Sequence, residues 1–449
     1  MKRPGVQRPG VQRPGEKALV SGVAVIALAV GLLTTFSLLG SPDRRADPAG
    51  TTPSTTPVAV QDPLAQAIAG AQAHLVARPD DYQTWADLGL AYVQQAKITV
   101  DPSYYAKAVG AVARSLKLDA TKNYAGYGAQ SALQNGLHNF TGARDAALKG
   151  IAINRYNSTL FGALGDAYTQ LGEYDKAAAA IDTMNRLLPG VPAFTRASYV
   201  LELRGDIRGS QAALERALQD SANGAGTSFA ENSLGELAFN YGGNAAAALR
   251  HFQAGLDAAP KDFTLLAGRA KAELALGQTQ QALTDYRTVV NAIPQPQYVL
   301  ELAELEQSLH DPDAARQYAL FRTEERLFQS AGVALDVEPT LFEADHGDAK
   351  QALSFCAAGW KVRPFLEMAD ACAWANYVNK RYPEALGWAD KAAATGWHNA
   401  LFLFHRGMIE AAMGNRVAAK ADLANALALN PHFNVLQVPL ARQCLARLR

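Results

Sequence analysis

One small residue returns through this chain at intervals of 33 to 38 residues. Ala108, Ala143, Ala177, Ser210, Ala248, Ala282, Ala315, Ala352, Ala385 and Ala419 follow one another in that rhythm. Ahead of each stands a second small residue: Gly89, Ser131, Gly165, Ser198, Gly235, Ala270, Ala303, Thr340, Ala373 and Gly407. A period of this length means a stack of like units, each burying its face against its neighbours, so 449 residues do not translate into about three separate domains.

The unit is clearest between Arg155 and Pro189. With Phe161 as position 4, Leu164 and Gly165 fall at 7 and 8, Tyr168 at 11, Gly172 at 15, Tyr174 at 17, Ala177 at 20, Ile181 at 24, Met184 at 27 and Pro189 at 32. Positions 4, 7 and 11 share one face of a first helix. Small residues at 8 and 20 let a second helix pack closely against it. Gly172 suits the left-handed residue that ends the first helix, and Pro189 closes the second. This pattern resembles the tetratricopeptide repeat family, and the resemblance extends over roughly residues 79–431. It implies an all-α fold, an α-solenoid of about ten helix-turn-helix repeats. The blocks 342–348 and 403–414 look similar to those of exported bacterial repeat proteins.

The flanks read differently. Residues 1–17 repeat Arg-Pro-Gly and form a basic tail, placed in the cytoplasm. Residues 18–39 carry no charge and are long enough, at 1.5 Å per residue, to cross a bilayer as one transmembrane helix preceding the repeats. Basic residues crowd the side before this span, which places the repeats outside the cytoplasm in a single-pass membrane protein. The alternative is a secreted chain released by signal cleavage, for which Leu38-Leu39-Gly40-Ser41 is a poor site. Residues 40–63 form a Pro/Thr-rich linker. The superhelix is expected over 64–434, with a capping helix over 435–449. Longer turns are expected at Lys97–Tyr104 and Asp220–Thr227, and a bend near Pro339.

Lys+Arg and Asp+Glu both number 42, which leaves no net field to attract nucleic acid. Cys356 and Cys372 fall at positions 24 and 7 of adjoining repeats and are read as buried small hydrophobes, free Cys being a common core residue. There is no His-Glu-x-x-His, Walker loop, Gly-x-Ser-x-Gly or Cys-x-x-Cys, so no catalytic residue, cofactor or metal is assigned. Glu343, Asp345, His346 and Asp348 are read as a solvated turn, and an enzyme centred on 332–348 is the weaker alternative.

The resemblance implies that the first helices line a concave face, with positions 5, 9 and 12 pointing into it. Those positions hold Tyr199, Glu202, Asn232, Glu236, Lys271 and Glu304, then Asp370, Trp374, Tyr377, Phe404 and Met408. Aromatic anchors in a concavity suit a protein or peptide segment. The expected function is therefore a non-enzymatic interaction scaffold. Two readings compete with it: the aromatic residues pack against a C-terminal helix folded back on them, or the convex face serves an envelope assembly.

Overall fold

The structure, a computed structural model, describes residues 63–334 and 337–448. The basic tail, the candidate transmembrane span 18–39 and nearly all of the linker lie outside those residues. Among the described residues every regular element is helical, and no helix is long and apolar enough to cross a membrane.

One helix, α1 (Pro63–Ala77), precedes ten antiparallel pairs. They are α2 (Tyr82–Thr99) with α3 (Ser103–Leu118), α4 (Tyr124–Gly136) with α5 (Phe140–Ile153), and α6 (Ser158–Gln170) with α7 (Tyr174–Leu187). Next come α8 (Val191–Leu203) with α9 (Ile207–Gln219), α10 (Gly224–Asn240) with α11 (Ala245–Ala258), and α12 (Phe263–Ala275) with α13 (Thr279–Ala292). The last four are α14 (Pro296–Ser308) with α15 (Ala314–Ser330), α16 (Val337–His346) with α17 (Ala349–Val362), α18 (Leu366–Val378) with α19 (Tyr382–Ala392), and α20 (Ala400–Ala412) with α21 (Arg416–Leu429). A final helix, α22 (Gln437–Arg447), ends the described chain.

The small positions do what their spacing requires. A methyl group on Gly165 would stand 2.3 Å from Ile181 Cδ1, and one on Gly407 would stand 2.8 Å from Leu423 Cγ. Position 24 of the second helix thus rests directly on position 8 of the first. The pairing is not uniform in size: Ser131 goes with Ala147 and Ala373 with Ala389, whereas Ala270 goes with Tyr286 and Ala303 with Phe321, all of them buried. Close packing is met within each pair and not by a fixed pair volume. Position 15 is left-handed in several repeats with and without glycine, though not at Gly347 of repeat eight. Gly172 (φ 70°) and Gly205 (φ 76°) take it freely, while His138, His310 and Lys380 adopt φ near 60° in their repeats.

Four expectations need correction. The stretch 97–104 is mostly helix: α2 is extended to Thr99, and left-handed Val100 makes the turn. The loop before repeat five is only residues 220–223, because the Asn223 side chain caps α10 and draws Gly224 and Gly226 into its first turn. In repeat seven the turn is two residues longer, so Gln317 and not Ala315 occupies the buried position 20, with Phe321 at position 24; Ala315 is exposed. Finally, Cys356 and Cys372 are joined in a disulfide, because α17 and α18 bring their Cα atoms to 5.0 Å. Pro339 lies in the first turn of α16, where its missing N–H costs nothing. The chain does not break there. Instead α14 and α16, like α12 and α14, meet only sparsely, and Phe321, Phe342 and Tyr318 pack together between repeats seven and eight.

Candidate functional site

The superhelix closes on itself. The turn of repeat two reaches residue 334, with His138 Nδ1 3.2 Å from the Ala334 carbonyl oxygen, 196 residues away in sequence. The Arg363 guanidinium donates to Gln170, and the Leu366 amide donates to Tyr174 Oη at 3.1 Å, pairs 193 and 192 residues apart. Gly205 faces the Gly396 carbonyl, where a Cβ would sit 2.6 Å away, and Gly242 N donates to Leu429 O at 2.8 Å. These contacts recur with the period of one superhelical turn, between five and six repeats of about 34 residues. Glycine is required at this seam because backbone meets backbone. An open cleft of about 440 Å³ remains along it, lined by Gly172, Tyr174, Asp175, Leu203, Arg204 and Thr395.

Consecutive first helices are tied by polar side chains, and these ties mark the inner face. Arg196 makes two bonds of 2.9 Å to Asp166, Lys271 Nζ donates to Glu236 at 2.9 and 3.1 Å, and Tyr241 Oη donates to Glu202 at 2.8 Å while accepting from Trp397 Nε1 at 2.6 Å. Burial pushes the Glu202 carboxyl up to about 7, against which the Tyr241 hydrogen bond acts only partly. Burial would lower the Lys271 ammonium, but Glu236 and Glu301 together hold it above the usual lysine range. Asn232 is buried with its Oδ1 lacking a protein partner, and so is the Oη of half-buried Tyr199. Glu202, Glu236 and Lys271 keep partial solvent access although protein surrounds them, the situation of groups on a narrow wet inner surface.

The aromatic group forms at the other end of the same face. Trp374 is 5% exposed and lies between two parallel rings, Tyr377 at 4.6 Å and His405 at 4.2 Å. Phe404 is fully buried 5.6 Å from Trp374, and Met408 packs on the same cluster. Asp370, 1% exposed, is bonded to His405 Nδ1 at 2.9 Å. The sequence placed these residues together, and so they are. They are not an open groove, however, because the chain's own C-terminal segment covers them. The Phe433 ring lies tilted 5.4 Å from Phe404, and Ala441, Cys444, Leu445 and Leu448 pack on the cluster. Asn434 Nδ2 donates to Glu304 at 2.8 Å, and Gln437 Nε2 donates to Asp345 at 3.1 Å. A segment that follows repeat ten thereby touches the first helices of repeats seven and eight, which requires those helices to curve around it.

The acidic turn of repeat eight disperses into separate tasks. Glu343 accepts from the Asp348 amide at 2.7 Å, Asp348 caps α17, Asp345 accepts from Trp374 Nε1 at 2.7 Å, and His346 Nε2 bonds Glu304 at 2.9 Å. Among the described residues no group of three such side chains could hold a metal. Sequence reasoning missed His405, Trp397 and the amides of Asn434 and Gln437. His405 stands at position 6, one past the inward position 5 that Phe404 holds, and the two amides lie beyond the last repeat, where the period says nothing.

Residues 159–183 match the family model of the tetratricopeptide repeat. No curated protein matches the chain at a significant level. Among solved structures, it is similar to a tetratricopeptide repeat protein from Parabacteroides merdae, at 16% identity over 54% of this chain and 96% of that one, with a TM-score of 0.38. It is also similar to a thermophilic repeat protein of Thermus thermophilus, at 21% identity over 42% of this chain and 98% of that one, TM-score 0.37. A third is the monomeric IFIT1 mutant with Gppp-AAAA, at 12% identity over 73% and 76%, TM-score 0.46. Scores this low carry no functional inference. The family match falls in the third helix pair, and the same helix-pair geometry is repeated through ten.

Proposed function

We propose that this chain is a protein-interaction scaffold whose repeats lie outside the cytoplasm, tethered by residues 18–39, and that its partner binds on the inner face of repeats seven to ten. The observation that carries this reading is the aromatic seat around Trp374, which already holds an amphipathic helix. A surface shaped for one helix is preformed for another, so little ordering entropy is lost on binding. Two further features support the location. Disulfides persist in oxidising compartments, and Cys356–Cys372 is one. The basic residues before position 18 favour a cytoplasmic N-terminus.

The convex reading is less well supported. Exposed apolar side chains on the second helices, such as Val109, Leu148 and Leu327, are scattered through separate repeats. The enzymatic reading loses its constellation, because Glu343, Asp345, His346 and Asp348 bond to four different places.

The test is site-specific photocrosslinking in native membranes, with the crosslinker at half-buried Tyr377 or, as control, at exposed Leu148. An adduct with one identified protein from Tyr377, absent from Leu148, supports the groove. Intermolecular adducts from Leu148 alone would move the function to the convex face.

A further inference from the structure

Two carboxylates on the inner face divide their oxygens in the same way. Glu304 gives Oε1 to His346, a residue of the repeats, and Oε2 to Asn434 of the C-terminal segment. Asp345 gives Oδ1 to Trp374, again a residue of the repeats, and Oδ2 to Gln437. Each acceptor is therefore held in place without the segment and has one oxygen directed at it. The segment contributes the two donors from Asn434, just ahead of α22, and Gln437, the first residue of that helix; Asn434 Oδ1 in turn accepts from the Leu436 and Gln437 amides and fixes the pair.

The remainder of the fit is one-sided. Of α22, Gln437, Val438 and Ala441 are buried, whereas Pro439, Leu440, Arg442, Gln443, Ala446 and Arg447 are exposed. In the seat, His405 Nε2 and Asp370 Oδ1 are buried with no protein partner, and so is Gln437 Oε1 of the occupant. The fit thus leaves hydrogen bonds unmade on both sides, and an unmade buried bond favours a better occupant. The two carboxylates select for donors: Glu304 and Asp345 are met by the neutral amides of Asn434 and Gln437, and residues 431–449 contain no acid.

We infer that residues 430–448 are a resident ligand of this seat, and that the partner engages by replacing them with a segment of the same form, a short non-helical lead-in followed by an amphipathic helix. That segment carries amide donors at the places of Asn434 and Gln437, an aromatic residue at the place of Phe433, and a small residue at the place of Ala441, which is fully buried. This rests on the groove reading above and adds the partner's chemistry and a closed state. The apparent affinity of any partner is then reduced by the fraction of chains whose seat is open.

The probe is a fluorescent synthetic peptide of residues 430–449, titrated against the full chain and against Asn434→Ala/Gln437→Ala, which weakens the resident. The peptide binds the variant at least tenfold more tightly than the unaltered chain. A peptide with Asp in place of both amides binds neither, because Glu304 and Asp345 repel it. If the natural peptide binds neither chain while both remain folded by circular dichroism, the segment is a fixed end cap and the inference is overturned. Should the variant misfold, hydrogen exchange on the unaltered chain decides the matter: α22 amides are at least a hundredfold less protected than those of α20, and equal protection overturns the inference. Dimers of the variant that the peptide cannot dissociate would make a second copy the occupant and overturn the partner helix. An intermolecular crosslink from Tyr377 that the peptide does not abolish sinks this inference and leaves the scaffold standing. Peptide exchange without any such crosslink sinks the scaffold, and the partner with it.

Discussion

Repeats four to six and repeats nine to ten present the same helix positions to the same inner face, yet they treat it in opposite ways. In the first region the positions hold Glu202, Asn232, Glu236 and Lys271, and the ions satisfy one another: Lys271 bonds Glu236, and Tyr241 bonds Glu202. In the second they hold Asp370, Trp374, Tyr377, Phe404 and Met408, which bury themselves under a helix from outside the repeats. A polar inner face can stay wet because water completes its bonds, whereas an aromatic one of this size needs a cover. The repeated helix-pair geometry fixes which residues point inward. Their chemistry decides whether that surface is left open or occupied.

The sharpest way to break this contrast is to remove the centre of the aromatic region. Trp374→Ala leaves a large cavity between Tyr377 and His405 and strands the Asp345 carboxylate, and is expected to cost about 3–5 kcal/mol in urea unfolding. A loss under about 1 kcal/mol would mean that Trp374 belongs to an open surface, as its concave position alone suggests. The disulfide comes next. It closes a sequence separation of 16 residues between repeats eight and nine, directly below the aromatic region. Cys356→Ser/Cys372→Ser is expected to lose about 3 kcal/mol in oxidising buffer and nothing further when dithiothreitol is added. Equal stability with and without reductant in the unaltered chain would show that the bond contributes nothing.

A third prediction concerns the packing common to both regions. Gly165→Ala places a methyl group 2.3 Å from Ile181 Cδ1 and should cost about 1–3 kcal/mol, despite alanine's better helix propensity. The combination Gly165→Ala/Ile181→Val makes room for the methyl and should recover part of the loss. An additive further loss would contradict the direct contact between Gly165 and Ile181 as the source of the cost.

Much of this was legible in the sequence because a repeat states its rule ten times. Both small positions, the left-handed turn and the number of pairs follow from spacing. Glycine at position 15 was readable, and the seam shows a second reason for some of those glycines: Gly172 and Gly205 meet backbone of the next superhelical turn. That contact could not be read, since the number of repeats per turn depends on small angles between pairs and not on residue type. The candidate site was legible in its members but not in its state. Trp374, Tyr377, Phe404 and Met408 lie together as their positions imply, but their cover comes from Phe433, Asn434 and Gln437, where the period has ended. The disulfide was missed for a related reason. Positions 24 and 7 of adjoining repeats are neighbours in every pair, and two cysteines there read as ordinary core until the 5.0 Å Cα separation is known.

The smallest effect belongs to the polar region and tests it most directly. The Glu202 carboxyl is pushed up to about 7, first by burial, against an ordinary value of 4.5. Between those values the folded chain holds a proton that the unfolded chain has released, so stability falls as pH rises from about 4.5 to 7 and is flat beyond. Glu202→Gln keeps an oxygen that can accept from Tyr241 Oη and removes the charge. The variant should match the unaltered chain near pH 4.5 and exceed it by about 1–2 kcal/mol above pH 7, the gain being limited by the water that reaches this face. Glu324, also raised to about 7 by burial, is present in both proteins and cancels in the difference. Urea titrations at pH 5, 6, 7 and 8 measure the slope. A variant less stable than the unaltered chain at pH 8 would mean that the charge on Glu202 is compensated, making this region an ionic lock between superhelical turns through Tyr241 and Trp397. A rising difference would make it a wet surface that tolerates a charge without needing one, the opposite of the aromatic seat, which cannot be left uncovered.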